Sequence, residues 1–170
     1  MNKSFTTFSG DNLSKSLLFP MEKVFESYIT FYIKKIFGND GWDVSSQDKS
    51  YYLFNEPRRR FALRPDIVCK KDNRVIIMDT KWKRLYDSPQ ENYGISQGDM
   101  YQMYAYSKKY QTSEIWLLYP LNDEISSYNE IKFDSGDETI VRVHFVDVAN
   151  IEESLKDLNR KLDETVDMER

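Results

Sequence analysis

Apolar residues recur along this chain in two rhythms, one of three to four residues and one of contiguous or alternating runs, and these rhythms predict its elements. Pro20 suits the first turn of a helix, where a proline forfeits no hydrogen bond. Met21, Phe25, Tyr28, Ile29, Tyr32 and Ile36 follow at helical spacing and predict one buried stripe, ended by Gly38 and the NDG after it. SYYLFN (50–55) reads as a short strand. Two apolar runs flank Asp72-Asn73 and read as a hairpin with a two-residue turn. A loop containing Pro89 and Gly94 covers about 84–97, and a second helix is expected from about Asp99 to Tyr110. EIWLLYP (114–120) reads as a buried strand, and 130–134 and 139–148 as strands of a meander. Ile151, Leu155, Leu158, Leu162 and Val166 mark one side of a final amphipathic helix over 151–168. This order predicts an α/β or α+β domain with a mixed central sheet flanked by helices. Residues 1–17, rich in Ser, Thr and Asn, read as a flexible arm, and 18–170 as a single domain without internal repeats.

Composition narrows the functional classes. A chain of 170 residues with 40% hydrophobic and 15% aromatic content builds one core, and 31% charged residues cover it as a soluble protein. No apolar run reaches the roughly 18–20 residues that span a bilayer, so no membrane partner is expected. The polar beginning lacks the apolar segment of a secretory signal, and a cytoplasmic location is expected. The one cysteine, Cys69, excludes an internal disulfide and a cysteine-built zinc site. The one histidine, His144, lies in an apolar strand and reads as structural. The net charge of −4 conceals a basic segment: Arg58–Arg84 holds ten Lys or Arg against three Asp. Asp147–Arg170 holds eight acids against four bases. The basic segment is either an ordinary solvated surface or a polyanion site.

The candidate chemistry lies in the hairpin. In a turn centred on Asp72-Asn73, Val68 opposes Ile77, Asp66 opposes Asp79 and Arg64 opposes Lys81, with Pro65 able to introduce a bulge. Strand alternation then projects Asp66, Asp79 and Lys81 from one face. Opposed carboxylates repel, the more so among apolar neighbours. Protonation of one acid, compensation by Arg64 and Lys81, or a shared divalent cation would each relieve them. Two carboxylates plus waters suit magnesium, with manganese able to substitute. Lys81 would reach the same point, either to stabilise phosphate charge or to help deprotonate a water.

At these residues the chain resembles the PD-(D/E)XK nuclease superfamily, with Pro65-Asp66 as the first half of the motif and Asp79-Thr80-Lys81 as the second. GDMYQMYAYSKKY supplies the Q-x-x-x-Y pattern, Gln102 and Tyr106, of the RecB-like branch. LRPDIV, IIMDTKWK, DMYQMYAY and LLYP follow one another as in the McrC-like nuclease domain of modification-dependent (5-methylcytosine) restriction systems, over about residues 20–120. The resemblance implies a restriction-endonuclease-like fold and magnesium-dependent cleavage of DNA phosphodiesters. It assigns Asp66, Asp79 and the Thr80 carbonyl as metal ligands, Glu26 of the first helix as a further ligand, and Lys81 as the catalytic lysine. Gln102 and Tyr106, one turn apart with Asp99 on the same side, would line the site. Arg58, Arg59, Arg60, Arg64, Lys83 and Arg84 would contact the DNA backbone, as basic side chains bind phosphates without reading sequence.

The resemblance also implies an McrB-like AAA+ GTPase partner that delivers the DNA. McrC-like proteins usually carry a long N-terminal region that engages the GTPase, whereas only about 60 residues precede the motif here. A stand-alone nuclease, a separately encoded subunit and a piece of a larger one are all compatible with that length. A homodimeric restriction endonuclease of the same fold, a catalytically silent DNA-binding or assembly subunit, and a non-nuclease domain with salt-bridged aspartates are the alternatives.

Overall fold

Pro20 does open the first helix. Its carbonyl accepts from the backbone N–H groups of Lys23 and Val24, and helix α1 runs over Met21–Asn39. The computed structural model describes residues 20–125 and 130–168, so the expected arm over 1–17 lies outside them, as does the Val166 side chain. The buried stripe of α1 is Phe25, Ile29, Ile33 and Phe37, a strict four-residue repeat. That corrects the expected stripe: Met21 and Tyr28 are exposed, and Tyr32 and Ile36 only flank the core.

A six-stranded sheet carries the molecule. Its strands are β1 (Asp43–Ser46), β4 (Ile67–Lys71), β5 (Arg74–Thr80), β6 (Glu114–Pro120), β7 (Lys132–Asp134) and β8 (Ile140–Val146), in the spatial order β1-β4-β5-β6-β8-β7. Pairings β5–β6 and β6–β8 are parallel and the rest antiparallel. β6 is buried along its whole length because both faces are covered, which explains why EIWLLYP is nearly continuous in apolar residues. One face packs on α1 and the last helix α3 (Ile151–Met168) through Ile76, Met78, Trp116, Leu118, Leu155, Leu158 and Leu162. The other packs on α2 (Gln97–Tyr110) through Ile77, Leu117, Met103 and Tyr106.

Two elements differ from expectation. β1 was not predicted, and SYYLFN does not join the main sheet. It supplies β2 (Tyr52–Phe54), which pairs with β3 (Arg60–Ala62) in a separate two-stranded ribbon. Helix α2 begins two residues before Asp99, since Ser96 accepts the Asp99 backbone N–H at 3.1 Å and caps it. Among the described residues no helix is long and apolar enough to cross a membrane.

His144 is 5% exposed on β8, and it does not line the cleft described below. Burial, with Lys161 beside it, pushes its pKa from 6.5 down to about 4. The folded state therefore binds that proton less well than the unfolded chain. Its contribution to stability is intact above pH 6.5 and falls away towards pH 4. The loss expected over that window is on the order of 2–3 kcal/mol. Urea unfolding at pH 7 and pH 4.5 is expected to show a smaller pH difference for His144→Gln than for the wild type.

Candidate metal and phosphate site

The predicted hairpin register is present from Lys71 opposite Arg74 to Ile67 opposite Met78. Asp72 makes the turn with a φ of 52°, a conformation that aspartate tolerates. Pro65 then ends the ladder, leaving Asp66 one residue outside β4. The two aspartates consequently do not face each other as a simple cross-strand pair. Asp79, 2% exposed, sits in β5 beside Leu117 of β6. Asp66 turns towards the end of β5, where its Oδ2 accepts from the Thr80 backbone N–H at 2.8 Å and from Thr80 Oγ1 at 2.7 Å.

Both acids lie at the carboxyl end of β5, on the side of the sheet at which open α/β folds bind ligands. Lys81 extends the parallel pairing by donating its backbone N–H to Leu118 at 2.9 Å. Its ammonium group is 2.5 Å from Asp79 Oδ2 and 3.4 Å from Asp99 Oδ1. It also donates to Gln102 Oε1 at 3.4 Å. Gln102 is itself held by Tyr106, whose hydroxyl accepts from Gln102 Nε2 at 2.7 Å. Tyr106 is buried behind Gln102 and does not line the opening. Its place among the site residues is therefore one of support.

Helix α1 closes the opposite wall. Gln47, just past β1, donates to Asp66 Oδ1 at 3.2 Å and to Glu26 Oε1. Glu26 Oε2 meets the Lys23 ammonium group at 2.7 Å. Gln47 was not anticipated, because its position depends on pairing of β1 with β4 rather than on any local pattern. Trp82, in the basic KWKR run, packs its ring against Phe25 at 5.3 Å. Lys23, Glu26, Asp66, Asp79, Thr80, Lys81, Trp82, Asp99 and Gln102 line a cleft of about 320 Å³ that also takes in Glu22, Arg64 and Lys83. The other basic candidates stand apart from it. Arg58, Arg59 and Arg60 belong to the β2–β3 ribbon, and Arg84 pairs with Glu124 at 3.4 Å.

Burial first, and then the charge of Asp66, push the Asp79 carboxyl up to about 6, against the opposing pull of Lys81. Burial likewise raises Asp66, although its bonds from Thr80 act the other way and the charge of Glu26 adds to the rise. Burial works to lower Lys81, but Asp79, Asp99 and Asp66 outweigh it and hold the ammonium form above its ordinary range. Compensation by Lys81 is thus real and incomplete. Among the described residues, no three His, Cys, Asp or Glu side chains already converge in metal-ligating geometry. The donor chemistry nevertheless suits a hard cation. Asp66, Asp79 and the Thr80 carbonyl are oxygen donors, and a cation among them would offset the repulsion that raises Asp79.

A family model described as McrBC 5-methylcytosine restriction system component matches residues 1–120. None of the curated proteins matches. In solved structures, the fold is similar to a chain of the half-complex of Thermococcus gammatolerans McrB AAA+ hexamers with bound McrC. That match has a TM-score of 0.61 and 18% identity and covers 81% of the present chain. It takes in 33% of the other chain, so the present sequence spans about a third of that length. The likeness shows a shared helix-flanked mixed α/β fold.

Proposed function

Because the chain belongs to the McrBC 5-methylcytosine restriction system component family, we propose that it is a magnesium-dependent DNA endonuclease acting as the nuclease part of such a system. The observation that carries this reading is a buried carboxylate, Asp79, placed at the end of β5 against Lys81 and beside Asp66 in an open cleft. A restriction-endonuclease-like PD-(D/E)XK site has the same components. Asp66, Asp79 and the Thr80 carbonyl would hold magnesium, with Glu26 reaching the site through Gln47. Bound there, the ion supplies Lewis acidity towards a phosphoryl oxygen and lowers the pKa of water.

The chain's own residues account for the rest. The carboxylates around Lys81 favour its ammonium form, which suits it to stabilise charge on the phosphoryl oxygens. Gln102, fixed by Tyr106, keeps that ammonium group directed into the cleft. Arg64 and Lys83, also on the cleft wall, contact flanking phosphates. The partner follows from the neighbour: an McrB-like AAA+ GTPase would present the DNA.

Plasmid DNA, methylated and unmethylated, is incubated with the protein and magnesium, with and without an McrB-like partner. Cleavage in either arm is expected. Its absence in every arm, with the protein folded, removes the nuclease reading. Gln47→Leu tests the wall formed by α1. Losing the bridge between Glu26 and Asp66 is expected to weaken magnesium binding about 10- to 100-fold, as removal of partners that orient ligands does. Magnesium titration followed by calorimetry checks this.

A further inference from the structure

The β2–β3 ribbon presents two phenylalanines that its own fold does not use. Phe61 is 71% exposed and Phe54 56%, although phenylalanine is normally among the buried residues. Their rings meet edge to face with centroids 6.0 Å apart. Phe54 opposes Arg60 in the ribbon, so regular alternation would send Phe61 to the other side. Phe61 instead adopts a φ of 57°, a left-handed backbone that a bulky side chain takes only against strain. Neither packing nor backbone preference explains an exposed phenylalanine there, and such strain tends to collect at functional positions.

The same ribbon is positively charged. Arg58, Arg59, Arg60 and the following Arg64 face a single acid, Glu56, within the stretch. Among the described residues none of these four guanidinium groups has a carboxylate partner. The ribbon is also anchored next to the cleft. The Tyr51 ring packs on Tyr110 of α2 at 4.4 Å, the Leu63 backbone N–H donates to Tyr51 at 2.9 Å, and Arg64 lines the cleft itself.

Arg59 lies over the Tyr52 ring at 5.9 Å, but with no carboxylate partner among the described residues these arginines, interleaved with exposed rings, match a polymer that is anionic along its backbone and flat and apolar on its bases. We propose that the β2–β3 ribbon is a DNA-wedging prong. Phe54 and Phe61 stack on base faces at an opened step, and the arginines hold the flanking phosphates. This rests on the nuclease reading and extends it, because a wedge of this kind favours easily unstacked DNA over rigid duplex. A protein partner would suit the rings, but it would have to set acidic side chains against three consecutive arginines, Arg58, Arg59 and Arg60, which a phosphate backbone does along its whole length.

The test uses the full chain in EDTA, so that binding is read apart from cleavage. The probes are a duplex carrying 2-aminopurine at pyrimidine–purine steps and the same duplex labelled for anisotropy. Wild-type protein is expected to bind and to raise 2-aminopurine emission. The Phe54→Ala/Phe61→Ala variant is expected to bind about five- to a hundredfold more weakly and to lose the emission rise, with its salt dependence unchanged. The variant with Arg58, Arg59 and Arg60 all changed to Gln is expected to keep the emission rise at low salt. Its slope of log K against log salt should fall by about 3. Phe61→Gly, which removes the strain, should melt no lower than wild type yet bind DNA more weakly, and this separates stacking from folding.

Failure of the wild type to bind DNA overturns the proposal. So does a double-phenylalanine variant that binds and unstacks like wild type. Indifference of DNA binding to both sets of changes assigns the ribbon to a protein partner and also overturns it. Unstacking with no cleavage once magnesium is restored, both with and without an McrB-like partner, would leave the prong standing and remove only the nuclease reading.

Discussion

Asp79→Asn is expected to eliminate DNA cleavage while leaving the fold intact. The side chain keeps its shape and loses its charge, at a position where the fold holds that charge reluctantly. The expected fall in rate is at least about 10²–10³-fold, the scale on which loss of a single charge-stabilising group acts in a preorganised site. Stability separates this from a trivial loss of structure. The metal-free variant should melt close to wild type, because removing a buried carboxylate repelled by Asp66 offsets the loss of its pairing with Lys81. Wild type in magnesium at about ten times its dissociation constant should gain ~1.4 kcal/mol, or roughly 3–6 °C in Tm for a chain of this size. The variant should gain little of this. Thermal melts with and without magnesium, run beside a plasmid assay, check both parts.

Lys81→Met is expected to give the complementary pattern. Methionine preserves the length and packing of the side chain but removes the ammonium group that lies 2.5 Å from Asp79 and 3.4 Å from Asp99. Cleavage should fall by about 10²–10³-fold. Magnesium binding should persist or tighten, because the cation no longer competes with a resident positive charge for Asp79. Lys81→Arg should not restore activity, since a planar guanidinium cannot replace a compact ammonium inside a ring of Asp79, Asp99 and Gln102. If Lys81→Met loses magnesium-dependent stabilisation together with activity, Lys81 serves the fold of the site rather than charge at phosphate.

The parts of this architecture that were legible in the sequence are those governed by local pattern. Asp72-Asn73 between two apolar runs set the β4–β5 register, and EIWLLYP announced a strand covered on both faces. Asp79 and Lys81 could be placed on one face of the second hairpin strand for the same reason. The remainder depended on contacts distant in sequence. β1 is four residues with one apolar side chain, Val44, and forms only because β4 offers its backbone edge. β3 hides in a run of arginines, where composition points to a solvated surface. Asp66 was placed opposite Asp79 by counting, yet Pro65 ends the ladder and lets it bind Thr80 instead. Gln47 carries no signal of its own and acquires its role by lying between Glu26 of α1 and Asp66, just before β4.

Everything proposed for the cleft depends on Asp66 and Asp79 sharing a divalent cation beside Lys81. A crystal equilibrated with millimolar manganese, with anomalous data collected at the manganese edge, answers this directly. An anomalous peak is expected within coordination distance of both carboxylates and the Thr80 carbonyl, with the Lys81 ammonium group moved off Asp79. A map with no peak in the cleft, and Lys81 still paired to Asp79, would contradict it.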